Sequence, residues 1–209
     1  MIKNIIFILF AIIIGCHSPK KKMKHPLDRS SSKTVQLENG LKVYLLSDPD
    51  LNVSSASMAV EVGAYQNPDD RQGLAHFLEH MLFLGTEKFP TVDGYKNHIK
   101  NNGGYSNAYT SGDHTNYQFE ILPDGYKEAL DRFSQFFIAP LFTEEYTQRE
   151  VNAVHSEYQK NIMNDGRRTG RIIDLHLKEG HSAQTFTTGN LETLGGIERG
   201  ELIEFYDKH

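Results

Sequence analysis

The 209-residue sequence has a single cysteine, Cys16. That excludes an internal disulfide framework and any thiolate zinc site, so a bound metal would have to use His, Asp or Glu. A surplus of positive charge is also missing. The chain carries 22 Lys and Arg against 27 Asp and Glu, a net charge of −5, which lacks the electrostatic footprint of a nucleic-acid binder. No internal repeat is present, and no apolar run is long enough to span a bilayer as a helix. What remains is a globular composition, 38% hydrophobic and 23% charged. It is sufficient for a core without covalent staples, in one large domain or two small ones.

The longest apolar run is Ile5 to Ile14, preceded by Lys3 and closed by "IIGC". Its length suits the hydrophobic region of a secretory signal. The small residue before Cys16 makes it resemble a bacterial lipoprotein signal, implying cleavage before Cys16 and lipidation of its thiol. An ordinary signal or a short uncleaved anchor is the competing reading. The expectation is a signal peptide over residues 1–15, then a flexible tether over 16–33, rich in Lys, Pro and Ser. The chain would then be lipid-anchored in the bacterial cell envelope, on the periplasmic side.

From residue 34 the pattern mixes strands and helices, predicting an α+β fold with a mostly antiparallel sheet and helices packed on it. "TVQLENGLKVYLL" has two alternating runs around Asn39-Gly40, a hairpin signal. "VSSASMAVEVGA" reads as a third strand. "TVDGYKNHIKNNGG" reads as a helix closed by Gly103 and Gly104. "YSNAYTSGDHTNYQFEIL" gives two strands around Ser111-Gly112-Asp113. In "PDGYKEALDRFSQFFIAP" the core stripe of a helix is Leu130, Phe133, Phe136 and Phe137. "TEEYTQREVNAVHSEYQKNIMNDG" predicts a long helix with Thr143 as N-cap, acids in its first turn and Gly166 past its end. Shorter helices are expected near Arg167–Leu177 and Glu198–Lys208.

The stretch "GLAHFLEHMLFLG", residues 73–85, would be a helix apolar on almost every side, and such helices are buried. Set into it are His76, Glu79 and His80. Buried polar groups need partners or they cost several kcal/mol. The two histidines are four apart and lie on one helix face. That spacing lets two imidazoles bind one tetrahedral Zn²⁺. Glu79 stands beside the open position, where it could take a proton from a water polarised by the metal. The order H-x-x-E-H is the inverse of the common zinc-protease motif. Two satisfied core histidines and a salt-bridged glutamate are the bland alternative, which leaves the three groups short of partners.

A hydrolytic zinc site needs a third protein ligand and one free position. On the long helix, Val151, Val154, Tyr158 and Ile162 form an apolar stripe. Glu150 and Glu157 border it, two turns apart. Spacing does not choose between them: either could ligate while the other supports it. His114 and His155 are weaker candidates, since single histidines sit more often at surfaces.

Four stretches, "GLAHFLEHMLFLGTEKFP", "YSNAYTSGDHTNYQFE", "ALDRFSQFFIAPLF" and "REVNAVHSEYQKNIMND", together resemble the N-terminal catalytic domain of the pitrilysin and insulin-degrading-enzyme family. The resemblance runs from about Val35 to the chain end and makes 34–209 a zinc metallopeptidase domain. It implies one Zn²⁺ per chain, with Glu157 completing the set of His76 and His80, and Glu150 supporting the site from behind. It also implies Glu79 as general base and "YSNAYT" as an edge strand to which an extended peptide adds, with Asn107 and Ala108 contacting it. Family members are long chains or paired subunits enclosing their substrate, and a later domain supplies Arg and Tyr side chains to the oxyanion. The resemblance therefore implies a peptide substrate and a C-terminal domain or second subunit. It also implies a final strand after "EFYDKH" that this sequence does not contain.

Overall fold

A computed structural model describes residues 24–209. The signal expected over 1–15, Cys16 and the first part of the tether lie outside the described residues. The chain forms two compact units, divided after Leu51. The sheet expected from the sequence is accordingly two small ones, both antiparallel.

In the first unit, β1 (Ser31–Gln36) pairs with β2 (Lys42–Ser47), Val35 opposite Val43. The connection carries Asn39-Gly40 as expected. Gly40 takes φ +88° and donates its N–H to the Leu37 carbonyl at 2.9 Å, the left-handed geometry that glycine adopts at no steric cost. β1 starts at Ser31, inside the stretch read as tether, because pairing continues out to Ser31 opposite Ser47.

The second unit is built on β3 (Ser54–Val60), β4 (Tyr105–Thr110) and β5 (Thr115–Ile121), in the order β3-β5-β4. The central strand shows the period-2 alternation of a sheet with one covered face. Thr115, Tyr117, Phe119 and Ile121 are buried, while Gln118 and Glu120 are exposed. Among the described residues β4 is an edge strand paired on one side only, with Asn107 opposite Gln118 and Ala108 opposite Tyr117.

Against the covered face lies α1 (Leu74–Leu82), in which Leu74, Ala75, Phe77, Leu78, Glu79, Met81 and Leu82 are all buried. Then come α2 (Gly94–Asn101), α3 (Pro123–Ser134), α4 (Glu144–Asn161), α5 (Asp165–Leu175), α6 (Leu191–Leu194) and α7 (Arg199–Lys208). Phe83, Tyr95, Phe119, Phe133 and Phe136 form the aromatic centre of the core, with Phe136 edge-on to both Phe83 and Tyr95, the geometry ring quadrupoles favour. No helix among the described residues is long and apolar enough to cross a membrane.

Several expectations need correction. On α3 the buried face is Ala129 and Phe133, continued by Phe136. Leu130, about 100° round the helix from Ala129, is exposed. On α4 the buried residues are Thr147, Val151 and Val154, while Ile162 lies beyond the last helical turn and is exposed. Gly166 falls within α5, and α6 is an element that the sequence did not suggest. Thr143 occupies the N-cap of α4 without a side-chain capping bond.

Candidate metal centre

α1 starts at Gly73, in the left-handed region at φ +91°, with no capping side chain of its own. Instead the Ala75 N–H is taken by Oδ1 of Asn67 at 2.9 Å. The helix then carries His76 and His80 to the same face, their rings 4.8 Å apart and nearly perpendicular.

Each ring is held by the nitrogen that faces away from the other residues of the site. His76 Nδ1 donates to the Thr188 carbonyl at 2.8 Å. A carbonyl only accepts, so the proton sits on Nδ1 and Nε2 keeps its lone pair. His80 Nδ1 lies 3.4 Å from Oε2 of Glu150, again favouring the proton on Nδ1. Both Nε2 atoms are thereby presented to Oε2 of Glu157, at 3.5 Å from His76 and 3.8 Å from His80.

Geometry thus separates the two glutamates of α4. Val151 and Val154, both fully buried, fix the rotation of the helix, and the two-turn spacing puts Glu150 behind His80 and Glu157 in front of both rings. One ligand atom from each of His76, His80 and Glu157 lies within 4.8 Å of the others, a grouping that could hold a metal ion. Tetrahedral Zn²⁺ with ligand bonds near 2.0–2.1 Å needs edges of about 3.3–3.4 Å. The two imidazole–carboxylate separations are close to that, and two neutral imidazoles plus one carboxylate are a suitable donor set for zinc.

The electrostatics agree. Where a proton rather than a metal sits on each Nε2, hydrogen bonds from His76 and His80 hold the Glu157 carboxyl far below the ordinary carboxylate range. The His80 side chain and Arg149 lower that of Glu150 against the effect of its burial. Burial opposes charging the His80 ring, but Glu150, Glu157 and Glu79 outweigh it, and its pKa is pushed up to about 9.

Glu79 is buried, at 7% exposure, and burial raises its pKa above the ordinary value. Its Oε2 accepts from the Thr110 hydroxyl at 2.6 Å, at the end of β4. Asn107 and Ala108 precede Thr110 on this strand. Asn107 is exposed and Ala108 half-buried, and neither belongs to the His76–His80–Glu157 group. His155 and His114 do not join it either. His155 Nδ1 lies 3.4 Å from the Leu191 N–H, and His114 is tied to Ser111 and Asp113 in the turn before β5.

Two groups at the site escaped the sequence. The Thr188 carbonyl is a backbone atom and has no side-chain signature; the only hint was the Gly189-Asn190 break. Thr110 sits within the quoted "YSNAYT", but nothing in a strand pattern says which hydroxyl meets a carboxylate on another element.

A three-stranded antiparallel sheet carrying a buried H-x-x-E-H helix, faced by a glutamate from a second helix, defines a domain of the inverted-motif class whose three side chains could hold a metal ion. Comparison with known proteins gives the family. Residues 42–175 match the model of Insulinase (Peptidase family M16), and the chain belongs to that family. It is 45% identical over 194 residues to insulin-degrading enzyme-like 2 of Arabidopsis thaliana, covering 90% of this chain and 20% of that protein. To the human insulin-degrading enzyme it is 44% identical over 193 residues, 89% of this chain and 19% of that one. The crystal structure of pitrilysin superimposes with a TM-score of 0.85 at 32% identity, over 92% of this chain and 21% of pitrilysin. The chain therefore spans about one fifth of the length of these relatives.

Proposed function

We propose that the chain is a zinc-dependent endopeptidase domain acting on extended peptides, with one Zn²⁺ held by His76, His80 and Glu157. The observation that carries this reading is the convergence of two Nε2 atoms on one carboxylate oxygen of Glu157. Zinc in that position supplies Lewis-acid polarisation of a carbonyl and lowers the pKa of water. Glu79, buried and with a raised pKa, accepts a proton from the attacking water and returns it to the leaving amine. Glu150 holds the His80 ring in orientation.

The unpaired edge of β4 takes the substrate. An extended peptide adds there by backbone hydrogen bonds, largely independent of its side chains, alongside Asn107 and Ala108. The strand ends at Thr110, the residue that touches Glu79, so a peptide laid on this edge runs toward the general base. Because the chain spans a fifth of its relatives, oxyanion stabilisation and exclusion of water are assigned to a C-terminal domain or second subunit. The same fraction favours one further reading: a fragment that binds zinc and peptides and cleaves only with that partner. Residues 1–15 and Cys16 are proposed as a lipoprotein signal and lipid attachment point in the bacterial envelope; lipid labelling lost in Cys16→Ser checks that part separately.

The test is cleavage of an internally quenched peptide by the zinc-loaded chain, with and without added C-terminal domains, beside Glu79→Gln. Cleavage abolished in a Glu79→Gln variant that retains zinc is expected. Undiminished cleavage by that variant contradicts the assignment of the base. Cleavage only in the presence of the added domains selects the second reading.

A further inference from the structure

The segment Phe186–Asn190 is an irregular stretch that belongs to neither ligand-bearing helix yet touches both. Toward α1, the Phe186 N–H donates to Oε1 of Gln72 at 2.9 Å, and the Thr188 carbonyl accepts from His76 Nδ1 at 2.8 Å. Toward α4, the Phe186 ring packs edge-on against Tyr158, centroids 5.4 Å apart, next in sequence to Glu157. Its far end is locked. Asn190 is buried and caps α6, accepting from the N–H groups of Glu192 and Thr193 at 2.8 and 3.0 Å.

The closest approach is glycine on glycine. A Cβ on Gly73 would lie 2.3 Å from Gly189 Cα, 2.5 Å from its nitrogen and 3.0 Å from the Thr188 carbonyl carbon. Both glycines are left-handed, at φ +91° and +80°. No side chain fits between the two backbones, and this is what lets the strap come near enough for a main-chain oxygen to reach an imidazole three residues into the helix.

We infer that the Phe186–Asn190 strap, seated on the Gly73–Gly189 backbone contact, is a positioning element for the metal centre. It fixes the tautomer and ring orientation of His76 through the Thr188 carbonyl, and it braces α4 through Tyr158 so that Glu157 faces both rings. The inference rests on the zinc reading above for its ligand and on the structure for its geometry. The strap touches only the far side of His76, so its effect on the metal is indirect. Removing such a supporting hydrogen bond weakens metal binding about 10–100-fold in comparable sites.

The test uses the full chain and Zn²⁺ alone, by chelator competition at one pH, with the His76 Nδ1–H followed by ¹⁵N NMR in the metal-free protein. Gly73→Ala pushes the strap away. Gly196→Ala is the control: it carries the same left-handed strain, at φ +68°, with nothing within 4 Å of the added methyl. Folded Gly73→Ala should bind zinc about 10–100-fold more weakly than wild type and lose the Nδ1–H signal, while Gly196→Ala keeps both. Unchanged affinity and an unchanged signal in folded Gly73→Ala overturn the inference. If Gly73→Ala does not fold, Gln72→Ala decides: it removes the Phe186 anchor, along with an exposed bond from Nε2 to the Pro68 carbonyl at 3.0 Å, and a weaker zinc affinity supports the strap while an unaltered one refutes it. Should wild type itself take up no zinc, the functional reading falls, and the protected Nδ1–H in wild type against its loss in the variant still judges the strap.

Discussion

The Thr110 hydroxyl donates to Oε2 of Glu79 at 2.6 Å, joining the end of an edge strand to the middle of a buried helix. Thr110 Oγ1 is also 3.2 Å from the Thr115 hydroxyl, which in turn donates to the Val62 carbonyl at 2.8 Å. A buried carboxylate is thus oriented by one side chain on the sheet. Thr110→Val keeps the shape and removes the donor. A hydrogen bond to a charged group contributes about 1.5–3 kcal/mol, so peptide cleavage should fall by roughly tenfold or more while zinc stoichiometry stays at the wild-type value. Loss of zinc in step with activity would show that Thr110 supports the metal ligands rather than Glu79.

The two glutamates of α4 should separate on mutation. Glu157 faces both Nε2 atoms, whereas Glu150 reaches just one of the two rings, at Nδ1 of His80. Glu157→Gln should therefore lose bound zinc on dialysis, and Glu150→Gln should retain it with affinity reduced about 10–100-fold. Metal analysis after dialysis reads both. Equal losses, or a greater loss in Glu150→Gln, contradict the assignment.

Away from the centre, Arg71 forms a two-pronged ion pair with Glu201, at 2.6 and 2.9 Å, linking the approach to α1 with α7. The guanidinium holds the Glu201 carboxyl below its ordinary value of 4.5. A carboxylate with a lowered native pKa contributes stability that is present above its unfolded pKa and lost as pH falls through the native one. Wild type should melt above Glu201→Gln by a constant margin at pH well above 4.5, and that margin should shrink as the pH falls below that value. Thermal unfolding across this range checks it; a margin that grows on acidification has the wrong sign.

The helix of His76, Glu79 and His80 was readable from its sequence because it breaks a local rule: polar groups at i, i+3 and i+4 inside an otherwise apolar run. The strands β4 and β5 were readable for a similar reason, alternation around Ser111-Gly112-Asp113. The choice between Glu150 and Glu157 was not readable from periodicity, because both border the same stripe and a seven-residue spacing returns nearly to the same helix face. The family resemblance pointed to Glu157, and the structure places that residue before both rings. Leu130 misled because residues one position apart look equivalent in composition but lie about 100° apart on a helix. The Thr188 carbonyl was invisible, since main-chain acceptors are identical at every position and only the fold decides which one meets a histidine.

The central claim is that His76, His80 and Glu157 form one metal centre, and zinc titration of the purified, folded chain tests it most directly. The account predicts uptake of one Zn²⁺ per chain, accompanied by a rise in Tm and lost in His76→Ala. A correctly folded chain that takes up no zinc, or one that binds it undiminished in His76→Ala, would contradict it.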